Sequence, residues 1–316
     1  MLSNFFNKMY YGKAGKGDYR PEDLPANRWQ LFFEMLRIRW SGLVRANLFY
    51  VLFWLPAILW TALNAGALYN VLVASLEEEG LLAADAMTTL IYQYLIGMIP
   101  CIAITGPFTA GITMILRNWA RDQHSFFMSD FWETVKTNWK QALAVSAVTS
   151  VMPFILWMCW TFYSSLAAQN FLFVIPQMLT MVAGGVWALS LTIMYPLMIT
   201  YDLKLGALIR NAVILSVGRL PQALGIRLVT LIIPFIAAAL ILFTPIAGYT
   251  LLVIILFYIV LGFALNRFIY VSFANMLCDR YINPRIEGAA VNMGLRQYTD
   301  EDYETDPTLP QPKRDD

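Results

Sequence analysis

The chain holds one histidine, His124, in a short connector with Asp122 and Asp130 close by. An imidazole beside carboxylates is the pattern that general acid–base catalysis and zinc binding both use. One histidine cannot build a histidine-rich zinc site, no cysteine is adjacent, and neither H-E-x-x-H nor G-x-S-x-G occurs. The three cysteines, Cys101, Cys159 and Cys278, are odd in number and widely spaced, which fits neither a disulfide framework nor a metal site. Cys101 and Cys159 lie in apolar stretches, where a free thiol packs as a small hydrophobe. The run from Gly12 to Gly17 has the glycines of a phosphate loop, but Gly17 is followed by Asp18 and no apolar strand precedes it. The paired carboxylates of Glu77–Glu79 read as a solvated turn. No catalytic, cofactor-binding or metal-binding set is therefore expected, and an enzyme ranks last among the functional readings.

A second group of residues could do quieter work. Asn47, Asn64, Gln93, Thr105, Gln177 and Asn266 stand inside long apolar stretches. Such residues hydrogen-bond between helices in a membrane, or line a ligand path. No charge is expected inside a span. Arg117, Asp202 and Arg267 stand at the ends, where long side chains reach back to the interface. A proton relay or voltage sensor, which needs ionisable groups at membrane depth, is disfavoured.

The elements that carry these residues follow from composition. Of 316 residues, 59% are hydrophobic and 14% charged, against about 45–50% and about 25% in soluble domains. The excess is too large for one buried core. A helix needs about 20 apolar residues to cross the hydrocarbon, and the uncharged stretches predict an all-α polytopic membrane protein of six spans, near 46–68, 88–116, 141–163, 171–201, 226–243 and 249–270. Turns are expected at Ser164–Ser165 or Gln169–Asn170, and at Thr244–Gly248. Pro100 and Pro107 fall in the second span and Pro176 and Pro196 in the fourth, so Pro100, Pro107 and Pro196 are candidate kinks. No signal peptide is visible, because the first apolar run begins only after Arg45.

Orientation follows from the basic residues. Residues 1–45 carry eight, 117–140 four, 202–227 four and 267–316 six, which together are all 22. Lys and Arg favour the cytoplasmic side, so both termini are expected in the cytoplasm. The net charge of +1 and the lack of a basic cluster exclude a nucleic-acid footprint.

Each basic segment also contains a helix with one apolar face, near 28–41, 126–139 and 204–217. Asn27 followed by Gln30 reads as a capping box that opens the first. Trp29, Trp40, Trp132 and Trp139 are candidate interfacial anchors, and the same faces could dock a cytoplasmic partner. The following spans share a weak repeat beginning at Leu43, Lys140 and Pro221, with proline at one offset (Pro56, Pro153 and Pro234) and isoleucine two residues later (Ile58, Ile155 and Ile236). Three hairpin-like repeats are thus expected. Clusters of small residues at Gly106, Ala110 and Gly111, and at Ala183, Gly184 and Gly185, permit close helix contact. By domain, the chain reads as an N-terminal cytoplasmic segment (1–26), a six-span membrane domain (27–285) and an acidic, disordered tail (286–316).

The stretches TYDLKLGALIRNAVILSVGRLPQAL at 200–224, TGPFTAGITMILRNWARD at 105–122 and YYGKAGKGD at 10–18 resemble the YesL-like family of uncharacterised bacterial membrane proteins, and the likeness runs from about residue 1 to 285. This chain is longer than the compact family pattern, and its acidic tail has no counterpart there. The resemblance implies a bacterial cell membrane and a link to carbohydrate uptake, and it supplies no catalytic residues. The expected function is an accessory or regulatory component of such a system. Its partners would be membrane lipid and a carbohydrate transporter or other membrane subunit. The alternative is a self-contained small-molecule transporter or substrate-binding membrane component, built on repeats and proline-interrupted helices.

Overall fold

A computed structural model describes residues 24–77, 81–244 and 246–296. The glycine-rich run at 12–17, Glu78, Glu79 and the acidic residues from 297 onward lie outside them. Every regular element among the described residues is helical, with no strand, and six helices are long and apolar enough to cross a membrane. The protein is an all-α, multi-pass membrane protein.

The chain enters through α1 (Arg28–Ile38), opened by the expected cap. Asn27 Oδ1 accepts from the Gln30 amide at 2.9 Å, and Gln30 Oε1 accepts from the Ala26 amide at 2.9 Å. After a break at Arg39 comes α2 (Trp40–Glu77), which pairs with α3 (Leu81–Ala103). Next are α4 (Gly106–Ala120), α5 (Phe127–Ala167) and α6 (Val174–Thr200), the last two joined by a turn in which Asn170 Oδ1 accepts from Leu172 N at 3.0 Å. The chain continues through α7 (Leu205–Gly218), α8 (Leu220–Phe243) and α9 (Ala247–Phe257). A π-helical turn, Tyr258–Gly262, leads into α10 (Phe263–Tyr281). The order is a helix at the basic end, a long outgoing helix and a returning one, three times over. Pro56, Pro153 and Pro234 fall inside the outgoing helices α2, α5 and α8.

Several boundaries differ from the sequence reading. The span drawn at 88–116 is two helices. The α3 helix ends at Ala103, and α4 starts afresh at Gly106 with Pro107 in its first turn. Proline is suited to a helix start, where its missing N–H would be unpaired anyway, so Pro107 opens a helix and does not kink one. Pro100 and Pro196 lie inside α3 and α6 as expected, while Pro176 falls in the first turn of α6. The segment 126–139 is not a separate interfacial helix. It forms the start of α5, whose 41 residues extend about 60 Å, twice the hydrocarbon thickness of about 30 Å. The last helix likewise continues past the predicted limit at 270 to Tyr281.

Arg227 stands inside α8, where no charge was expected, and Arg267, expected at a span end, stands inside α10, which runs on to Tyr281. Arg227 on α8 donates through Nη1 to the Tyr270 hydroxyl at 2.8 Å. Arg267 on α10 lies over the rings of Tyr195 and Tyr270, at 5.1 and 5.8 Å. Both helices run on at their basic ends beyond the uncharged stretch, and the cations rest on aromatic faces there.

The α4 helix is buried along most of its length and acts as the axle of the fold. Gly106 lets it approach α5 so closely that a Cβ would strike the Ala142 carbonyl oxygen and Ser146 Oγ. Gly111 leaves room for Phe131 and Val135. Around it sits an aromatic cluster from α2, α4 and α5, in which Phe53 stacks on Phe108 at 3.9 Å and Phe49 meets Phe131 edge-on at 5.0 Å. A second core joins α6, α7 and α10 through Ile193, Leu197, Leu208 and Ala274. The far halves of the spans are thinly covered: α9 exposes Leu251, Leu252, Val253 and Leu256 to the surroundings. Such a surface is stable only against hydrocarbon or another apolar body.

Candidate functional site

The densest polar chemistry gathers at the basic end, where the last turns of α10 meet α1, α4 and the end of α6. Asp279 is only 4% exposed. Its carboxylate pairs with Arg28 from α1, accepts from Asn283 Nδ2, and accepts from the Asn292 backbone amide at 3.2 Å. Arg28 also donates to Asn292 Oδ1 at 2.7 Å, and the Tyr201 hydroxyl donates to Asn283 Oδ1 at 2.6 Å. A buried carboxylate with every near neighbour a donor is a satisfied one. Losing one partner would leave a charge in a water-poor site, so this cluster works as a clasp.

The clasp corrects the boundary drawn at 286. Residues 286–296 are not tail but part of the body. Arg121 Nη2 donates to the Ala290 carbonyl at 2.9 Å, and the Arg296 amide donates to the Pro25 carbonyl at 3.0 Å. Gly294, at φ +79°, takes a left-handed turn directly against the Arg121 carbonyl, which a side chain would crowd.

Positive charge exceeds negative here. Arg117 in the last turn of α4 and Arg121 just after it sit four residues apart. Burial and the neighbouring Arg121 pull the Arg117 guanidinium below its ordinary range, while Cys278, Tyr201 and Asp279 work the other way. Burial, with Cys278 and Asp279 alongside, raises the Tyr201 hydroxyl and keeps it a donor. The Nε atoms of Arg39, Arg117 and Arg121 are buried without a hydrogen-bond partner. Beside the clasp opens a cavity of about 770 Å³, lined by Tyr201, Leu203, Asn211, Ile214, Arg219, Tyr281 and Arg285 among others. Arg219 lies over the Tyr281 ring at 5.1 Å. The arrangement suits binding a negatively charged group.

The polar residues singled out from sequence divide sharply. Asn47 is fully buried and bridges helices: its Nδ2 donates to the carbonyls of Tyr258 and Ile259, at 2.9 and 2.6 Å, and its Oδ1 accepts from the Ala264 amide at 2.8 Å. It therefore satisfies the π-helical turn. Gln177 joins α6 to α5 through Ser164 Oγ at 2.7 Å, and Asn266 neighbours the Tyr258 side chain. Asn64 only donates to the Trp60 carbonyl of its own helix, at 2.9 Å, and Gln93 is exposed. Thr105 Oγ1 donates to the Ile102 carbonyl at 2.8 Å, in the break between α3 and α4.

Trp29, Trp40 and Trp139 project outward, while Trp132 is half packed, edge-on to Phe131 at 5.2 Å. Asp130 caps α5, accepting from Ser125 Oγ at 2.7 Å and the Phe126 amide at 3.0 Å. His124 is exposed, with its ring against Phe126 at 4.7 Å. Among the described residues, no three of His, Cys, Asp and Glu gather as a metal site.

Sequence reasoning missed the Asp279 clasp and the cavity beside it. Asp279 lies outside the uncharged stretches, and no motif in its local sequence singles it out. The available signal was Ala274, Leu277 and Cys278 continuing the apolar spacing of α10 around it.

A family model described as "Protein of unknown function, DUF624" matches residues 43–160. No curated protein and no solved structure matches. The matched stretch reaches from the start of α2 almost to the end of α5. It takes in the α4–α5 contact, and over it the chain is similar to an uncharacterised domain family.

Proposed function

We propose that this protein is a non-enzymatic accessory or regulatory component of a bacterial cell membrane, of the YesL-like type, that couples to a carbohydrate uptake system. Both termini lie in the cytoplasm on this reading, which the placement of the basic residues supports. The observation that carries the reading is the outward face at the basic end. Trp29 and Phe33 of α1 are 70% and 60% exposed, beside a shallow groove also lined by Asn27, Gln30, Glu34 and Arg37. Exposed aromatics rimmed by charge are the composition of a protein-docking surface. The link to sugar uptake rests on the resemblance of the connectors at 105–122 and 200–224.

The test is extraction of the tagged full chain from its own host in mild detergent, with identification of co-purifying proteins. Sugar-uptake subunits at near-stoichiometric amounts, lost with Trp29→Ser and Phe33→Ser together, are the expected result. Recovery of the protein alone refutes the accessory reading.

A second reading, a self-contained transporter, is favoured by two discontinuities: the α3–α4 break and the π-helical turn, a feature that often marks functional positions. It requires specific stabilisation of the purified protein by a small metabolite.

A further inference from the structure

The cavity beside the clasp has a chemistry that the docking face does not use. Two guanidiniums, Arg219 and Arg285, line it, and no described carboxylate lies within ion-pair distance of either. Asp202 and Glu287 are the nearest acids in sequence, and both are exposed. The Tyr281 hydroxyl is buried with no hydrogen-bond partner. Arg219 at 5.1 Å and Arg280 at 5.6 Å both lie over its ring. Two unpaired cations with neutral donors at hand (the Tyr281 hydroxyl and the Asn211 amide) make an anion site, and the flat guanidinium fork fits phosphate best.

The rest of the wall selects among phosphates. Leu203, Ile214, Leu215, Ile282 and Ile286 are apolar. Ile214 is 55% exposed, and Val217, one turn further along α7, is exposed too. The apolar surface then continues through Leu220 onto α8, a membrane-crossing helix. A soluble sugar phosphate would leave its hydroxyl groups against this wall unpaired. A phosphate that carries hydrocarbon would not. Basic pockets between membrane helices hold anionic headgroups on this principle.

We propose that the cavity binds the phosphate of an anionic phospholipid from the leaflet at the basic end. Arg219 and Arg285 pair with the phosphate, Tyr281 and Asn211 donate to its oxygens, and Ile214 and Ile286 pack against the first acyl carbons.

The experiment uses the full chain in mild non-ionic detergent, equilibrated with equal amounts of phosphatidylglycerol and phosphatidylcholine of the same chain length. Retained lipid is counted by native mass spectrometry. The expected result is one phosphatidylglycerol per protein, preferred over phosphatidylcholine by at least tenfold. With each arginine worth about fivefold at a membrane surface, Arg219→Gln with Arg285→Gln should lower retention about 25-fold. Arg45→Gln, an exposed arginine of α2, should leave retention unchanged.

Equal retention of the two lipids by the unaltered protein overturns the proposal without need of any variant. So does undiminished retention in the folded double variant. Stabilisation by glycerol phosphate or inorganic phosphate equal to that by phosphatidylglycerol would assign the site to a free phosphate and overturn the lipid.

Discussion

Replacing Asn47 by alanine removes three hydrogen bonds at once, to the carbonyls of Tyr258 and Ile259 and from the amide of Ala264. All three belong to a π-helical turn and the residues just after it, where the regular backbone ladder is interrupted. Two scales bound the cost. A buried polar group left unpaired in a rigid interior loses about 1–3 kcal/mol, so three would cost several times that. Side-chain hydrogen bonds between membrane helices average only about 0.6 kcal/mol, because the altered protein finds other partners. The second scale governs here, since the π turn can relax toward an α-helical register and re-pair its carbonyls. The sum for three bonds is about 2 kcal/mol.

Asn64→Ala is the internal control. Asn64 donates only to the Trp60 carbonyl of its own helix, so its loss should cost about 0.5 kcal/mol or less. Reversible unfolding of both variants in mixed micelles, by titration with a denaturing detergent, measures the difference directly. An Asn47→Ala variant no less stable than Asn64→Ala would refute the assignment of Asn47 as the residue that holds the π turn.

The remaining predictions concern helix packing and the exit of the axle helix. Gly106→Ala should cost about 2 kcal/mol through overpacking against the α5 backbone. Gly185→Ala, with open space around the added carbon, should be neutral or slightly stabilising in the same unfolding assay. Asp122 sits at φ 53°, just after α4, and its carboxyl is raised above the ordinary value by burial, with Glu34 adding and Arg39 opposing. A raised acid favours the fold when protonated, and that contribution is lost as pH climbs through the folded-state value. Asp122→Asn, which keeps the left-handed backbone easy, should therefore match the unaltered protein near pH ~4 and melt higher than it by pH 7. A melting difference that shrinks as pH rises would be the contrary result.

Much of this protein was legible from composition and order along the chain. Long uncharged stretches determine helices of membrane length, because an unpaired backbone in hydrocarbon is too costly for any other form. The basic residues mark one end of the bundle by the same logic. Asn27 and Gln30 announced the cap of α1, and Asn47 announced itself as a buried polar residue in an apolar run. What only the tertiary structure decided were the places where local signals compete. Pro107 reads from the sequence as a kink, but the close approach that Gly106 allows to α5 makes it the start of a new helix. The segment 126–139 reads as an amphipathic surface helix, but no stop separates it from the apolar run that follows, so one helix forms. Asp279 illustrates the limit most clearly. A carboxylate near a chain end looks solvated, and its burial depends on Arg28, Asn283 and Asn292, residues up to 251 positions away, arriving together. Hydropathy is a local property and can be read along the chain, whereas the pairing of a buried charge depends on the whole fold.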